Sequence, residues 1–256
     1  MKRPVIIIGI GEMGGVFARG FLRCGYPVYP VTRELSLAVA AAEIPDPELA
    51  LVAVAEKDLQ ATLADLPPPW QDRCALLQNE LLPRDWLQAG YQQPTVISVW
   101  FEKKPGQDAK VLIPSPVFGP HSELLKDALG SIGIPVRVLA SDSQLLFELV
   151  RKNLYILTTN IAGLETGGTV SELWSQHRPL AEEIAREVIR IQARITRQPL
   201  DEEALIAGML EAFEGDPQHR CMGRSAPARL QRALEQAQEL GVQTPHLEAI
   251  AAKTAR

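Results

Sequence analysis

Two groups of residues in this sequence have types and spacings that could do chemistry. The first is Gly9, Gly11 and Gly14, a G-x-G-x-x-G run directly after the apolar stretch Val5–Ile8. Such a run suits a pyrophosphate. Gly9 permits a tight turn, Gly11 leaves no Cβ in the way of a phosphate, and Gly14 lets the next helix pack on the strand with its first amides facing the anion. The backbone through Gly9, Ile10, Gly11, Glu12, Met13 and Gly14 is therefore the candidate cofactor cradle. The second group is Lys152 with Asn160, eight residues apart in a long apolar run, which on a helix is about two turns and one shared face. A lysine held beside a nicotinamide can give a proton to a carbonyl oxygen as hydride reaches its carbon, and an asparagine can orient the same substrate. The plain alternatives are a glycine turn with no ligand and a lysine that snorkels from the helix edge.

The elements needed to position these residues can be read around them. Val5–Ile8 reads as a strand buried on both faces, Val16–Cys24 as a helix ended by Gly25-Tyr26-Pro27, and Val28–Val31 as a second strand, a β-α-β unit. An NAD site usually has Asp or Glu about twenty residues past the glycines, whereas here Thr32 and Arg33 stand there. A guanidinium can grip a 2′-phosphate bidentately, so the pattern favours NADP(H) over NAD(H). The competing reading has Glu34 turned inward and Arg33 as a solvated charge.

The β/α rhythm continues. Leu35–Ala42 reads as a helix, Leu49–Val54 as a strand, Glu56–Leu66 as a helix stopped by Pro67-Pro68-Pro69, and Cys74–Leu77 as a strand ending at Gln78-Asn79. Ligands in open α/β sheets lie beyond the carboxyl ends of the strands, so Asn79 is either a contact for the nicotinamide end or a turn asparagine serving its own backbone. Asp85–Ala89 reads as a helix, Thr95–Trp100 and Val111–Ile113 as strands joined through a Lys103–Gly106 turn, Ser122–Leu129 as a helix and Ile134–Leu139 as a last strand. From Ser141 onward strand-like runs vanish and helical spacing dominates, beginning with a helix from Gln144 to about Ala162 behind the capping residues Ser141-Asp142-Ser143. The fold class is thus α/β, a Rossmann-type doubly wound sheet over 1–141 followed by an all-helical domain over 142–256. Arg151, Lys152, Asn153, Thr158, Thr159 and Asn160 all interrupt the apolar pattern of the first helix of that second part, which marks it as the place for a substrate site.

Composition narrows the function classes. With 256 residues, a formal net charge of -5 and no basic run, nucleic acid is not an expected partner. The apolar run after Met1-Lys2-Arg3 is cut by Gly9, Gly11 and Glu12, which is too soon for a signal peptide, and no membrane span is expected. The three cysteines and four histidines are dispersed without metal-ligand spacing, so neither a disulfide framework nor a metal site is expected, and a reducing cytoplasm fits. Helices such as Glu182–Ile195 read either as a homodimer face or as ordinary packing within the domain.

Taken together, the N-terminal G-I-G-E-M-G, Arg33 after the second strand, Leu-Leu-Gln-Asn79 after the fourth and Leu-Val-Arg-Lys152 opening a long helix resemble the ketopantoate reductase family. That resemblance implies a two-domain NADPH-dependent reductase with its active site between a Rossmann domain and a helical domain. It assigns Gly9, Gly11 and Gly14 to the phosphate loop, Arg33 to the 2′-phosphate, Asn79 to the nicotinamide end, Lys152 to proton donation and Asn160 to the substrate. Two positions depart from the family pattern: Ile156 stands where the family has an asparagine, and Ala226-Pro227 where it has its catalytic glutamate. Three readings follow: a reductase of a small carbonyl compound such as a 2-oxo acid, a related 2-hydroxyacid or imine reductase, and a non-catalytic NADP(H)-binding or sensing protein.

Overall fold

The structure, a computed structural model, describes residues 2–254; residues 1, 255 and 256, at the outer ends of the two expected domains, lie outside the described part. The chain divides into two compact units, one ending at Glu148 and one running from Leu149. The division lies beyond the composition change at Ser141. Within the first unit Leu145 is buried and Glu148 pairs with Arg137, so the first turns of the long helix belong with the sheet.

The first unit runs β1 (Val5–Ile8), α1 (Glu12–Arg23), β2 (Val28–Val31), α2 (Leu37–Glu43), β3 (Leu49–Val52), a 3-10 turn (Glu56–Asp58), α3 (Leu59–Ala64), α4 (Pro68–Gln71), β4 (Cys74–Leu76), α5 (Pro83–Leu87), β5 (Thr95–Ile97), β6 (Phe101–Glu102), β7 (Lys110–Val111), β8 (Ser115–Phe118), α6 (Ser122–Gly130) and β9 (Val136–Val138). Seven strands form one sheet in the order β2-β1-β3-β4-β5-β8-β9, with β6 and β7 a separate two-stranded hairpin. β1 to β5 pair in parallel, β8 is antiparallel to β5, and β9 is parallel to β8. Residues of both parities are buried, Val5, Ile7, Leu49 and Leu51 against α1 and α6 and Ile6, Ala50, Val52 and Leu76 on the other face, which explains the unbroken apolar runs. Pro30 sits in β2, an edge strand with no outer partner to miss its N–H.

Several expected boundaries move. α1 starts at Glu12 and not at Val16, because Gly14 and Gly15 lie inside the helix. α4 begins within Pro67-Pro68-Pro69, since prolines are tolerated in a helix's first turn. The strand expected over Thr95–Trp100 stops at Ile97, and the hairpin forms outside the sheet. β8 is an addition to the expected strands: Pro116 lacks a ladder donor, yet its carbonyl accepts from Ser98 N at 2.9 Å.

The long helix α7 (Asp142–Thr166) is followed by α8 (Val170–Gln176), α9 (Arg178–Thr196), α10 (Glu202–Gly215), α11 (Ala226–Leu240) and α12 (Pro245–Thr254). Ser141 Oγ accepts from Gln144 N while Gln144 Oε1 accepts from Ala140 N, which satisfies donors at the start of α7. In the second unit α9 is the hub, touching α8, α10, α11 and α12. Its Glu187 is fully buried and accepts from His246 N at 2.9 Å, Leu247 N at 3.1 Å and His246 Nδ1 at 2.8 Å, a carboxylate closing the first turn of α12. Removing it strands those amides in the interior. Glu187→Ala should lower the unfolding free energy by at least about 2 kcal/mol, measured by urea denaturation, and loosen α12 before the rest in hydrogen exchange.

Candidate functional site

The parallel register brings Val31, Ile8, Val52 and Leu76 to one level at the ends of β2, β1, β3 and β4. Immediately beyond them stand Thr32-Arg33, Gly9, Ala53 and Leu77-Gln78-Asn79. Strand order reverses at β1, the place where open α/β sheets usually take their ligands. All the cofactor residues expected from the sequence are thus on one sheet edge.

The three glycines are required for different reasons. Gly9 has φ +92°, and a Cβ there would meet Ala53 O at 2.8 Å; at Gly14 a Cβ would lie 2.1 Å from Gly9 O. Both are demanded by the protein itself. Gly11 is not, because its φ of -72° suits any residue and a Cβ there would meet nothing within 4 Å. It caps α1 without a side-chain hydrogen bond. Gly11 thus leaves room at the start of α1, where the first-turn amides of Glu12, Met13 and Gly14 have no partner inside the helix, and a helix start of this kind can take a diphosphate. A cleft of about 650 Å³ continues along α1, lined by Gly11, Glu12, Gly15 and Arg19 and by Lys103 and Asp108 from the hairpin segment. Ile10 is exposed on the same turn and Met13 packs partly into the core beneath it.

Arg33 is 90% exposed in the turn after β2, with Asp58 3.7 Å away, a loose pair. Thr32 Oγ1 accepts from Glu34 N, which shapes that turn and leaves Glu34 exposed rather than inward. Asn79 is exposed beyond β4, followed by Glu80 at φ +58°, a left-handed conformation rare for glutamate. Beneath it the buried Gln78 donates to Val52 O at 2.8 Å and Val54 O at 3.3 Å, tying the ends of β3 and β4 together. That role has no signature in the sequence beyond a glutamine at a strand end.

In the second unit, α7 carries both catalytic candidates. Lys152 is half-buried between the buried Arg151 and Asn153. Those two are structural: Arg151 donates to Gly208 O at 2.8 Å and pairs with Glu211 at 2.8 Å, and Asn153 donates to Gln192 at 3.1 Å. Thr159 bonds back to Tyr155 O. Asn160 donates to Ile156 O at 2.8 Å and accepts from Arg229 Nη1 at 3.1 Å, so both ends of its amide are engaged. Arg229, from α11, is not singled out by its sequence context. Burial pushes the Cys74 thiol up to about 12 and the Cys221 thiol up to about 11, so neither offers a thiolate near neutral pH. Among the described residues no three His, Cys, Asp or Glu side chains are grouped to hold a metal ion, and no helix is long and apolar enough to cross a membrane.

No protein-family model matches the sequence, and no curated protein matches it. Solved structures do. The 2-dehydropantoate 2-reductase from Methylococcus capsulatus superposes with a TM-score of 0.73 at 15% identity, covering 98% of this chain and 96% of that one. The fold is that of the ketopantoate reductases. The 2-dehydropantoate 2-reductase from Porphyromonas gingivalis W83 gives a TM-score of 0.68 at 15% identity over 100% of both chains. A D-mandelate dehydrogenase in complex with NADH gives 0.69 at 16%, over 98% of this chain and 97% of that one. The ketopantoate reductase fold therefore extends over this chain at identities that speak for architecture alone.

The glycine geometry has a direct check. Gly14→Ala should cost more than about 2 kcal/mol of stability, because backbone must move, whereas Gly11→Ala should cost no more than about 1 kcal/mol, the usual difference between glycine and alanine at an N-cap, in the same denaturation experiment.

Proposed function

We propose that the chain is an NADP(H)-dependent reductase of a small carbonyl compound, with 2-oxo acids as the substrate class. The observation that carries it is Gly11, a glycine at the start of α1 that neither φ nor packing requires, since a Cβ there would meet nothing within 4 Å. A ligand phosphate is a physical reason for its lack of a side chain. The fold likeness to ketopantoate reductases and to a D-mandelate dehydrogenase with NADH supports the same reading.

In this proposal the glycine turn binds the diphosphate, the exposed Arg33 takes the 2′-phosphate, and Asn79 lies toward the nicotinamide end. The bound dinucleotide supplies a hydride to the carbonyl carbon. Lys152 gives a proton from Nζ to the developing alkoxide, yielding the hydroxy compound, and recovers a proton from water. Asn160, held by Arg229 and the α7 backbone, orients the same substrate by hydrogen bonds.

A second reading, an NADP(H)-binding protein without turnover, is favoured by the buried Ile156 and Ala226 and by the engagement of both ends of the Asn160 amide.

Titration and steady-state assays separate the two. NADPH should bind tighter than NADH, and Arg33→Asp should erase or invert that preference, a change of about ten- to a hundredfold. Equal wild-type affinities would remove Arg33 from the assignment. Lys152→Ala should lower turnover by about a hundred- to ten-thousandfold with cofactor affinity almost unchanged. NADPH binding without consumption across a panel of 2-oxo acids, ketones and imines would establish the second reading instead.

A further inference from the structure

The β6–β7 hairpin stands outside the main sheet, yet its connecting segment meets the glycine turn through charge. Lys103 Nζ lies 3.1 Å from Glu12 Oε2 and also donates to Lys104 O at 2.8 Å. Glu12 is the first residue of α1, immediately after Gly11. A carboxylate is well placed at a vacant helix N-terminus, where it meets the positive end of the dipole. It is badly placed once a doubly charged diphosphate occupies the same amides, because like charges a few ångströms apart repel. Lys103 offsets that repulsion. The Lys103 side chain is 21% exposed and that of Glu12 47%, so the pair is only partly shielded and its effect depends on salt.

We propose that Lys103 is a positioning residue of the dinucleotide site: by neutralising Glu12 it lets the glycine turn accept a pyrophosphate, which makes the hairpin an accessory wall of that site. The inference rests on the dinucleotide reading above but concerns a different part of the ligand. Arg33 acts on the 2′-phosphate and separates NADPH from NADH. Lys103 acts on the diphosphate that both share, so it affects them alike.

The test is a set of NADPH and NADH titrations on wild type, Lys103→Met, Lys103→Arg and the double variant Glu12→Gln/Lys103→Met, with thermal melts alongside. Lys103→Met should weaken both cofactors by a similar factor, about five- to fiftyfold at low salt, and by less at about 1 M salt, where screening acts within a few ångströms. Lys103→Arg should stay near wild type. The double variant should recover to within about threefold of wild type, because the charge that needed neutralising has gone. A merely structural lysine would not be rescued by removing its partner's charge. Lys103→Met binding both cofactors like wild type, or weak binding that Glu12→Gln leaves unrepaired, would overturn the proposal. Wild type binding neither dinucleotide would instead overturn the cofactor reading itself, and this inference with it.

Discussion

The absence of a side chain at Gly14 is the constraint on which the first unit depends. With a Cβ 2.1 Å from Gly9 O, α1 could not begin at Glu12, and its axis would move away from β1. That close approach sets the angle at which α1 leaves the sheet. It thereby sets the packing against α6, where Gly20 approaches Ala128 so closely that a Cβ would lie 2.5 Å from its carbonyl oxygen. Val16, Phe17 and Phe21 then fall on the apolar face made by Val5, Ile7, Leu49 and Leu51. Core and candidate cradle are consequences of one helix placement, because α1 buries Val16, Phe17 and Phe21 while Gly11 at its start stays open.

The second unit is organised by polar groups as much as by apolar ones. Glu187 closes α12 from the centre of α9, Asn153 on α7 reaches Gln192 on α9, and Arg151 on α7 reaches Gly208 and Glu211 on α10. Each interaction satisfies a group that burial would otherwise penalise, and each fixes one helix relative to another. Helices packed by leucines alone could slide. These fix a register on which the half-buried Lys152 and the doubly held Asn160 depend.

Much of this is legible in the sequence where one residue's requirement is local. Val5–Ile8 followed by three spaced glycines specifies strand, turn and helix, and Ser141 with Gln144 marks the start of α7. Three of the differences share a cause, which is that glycine and proline break elements only in some positions. Gly14 and Gly15 delay the expected start of α1, Pro116 hides β8 inside the sheet, and three prolines hide α4. Long-range pairs are invisible in principle. Nothing near Glu12 announces Lys103, and nothing near Asn160 announces Arg229, because each pair forms only after the elements have been placed. For the same reason Arg151 and Asn153 look like site residues in the sequence, although their partners lie on other helices of the same core.

Arg33 stands apart from all of this. It is almost wholly solvated, touches Asp58 only loosely, and supports no element of the sheet. Its replacement would therefore meet little resistance from folding, in contrast to any change at Gly9 or Gly14. A preference between two cofactors that resides in such a side chain can be gained or lost in a single mutational step while the architecture persists. On the proposed reading, the choice of reductant in this chain would therefore be open to change at little structural cost, whereas the glycine turn would not.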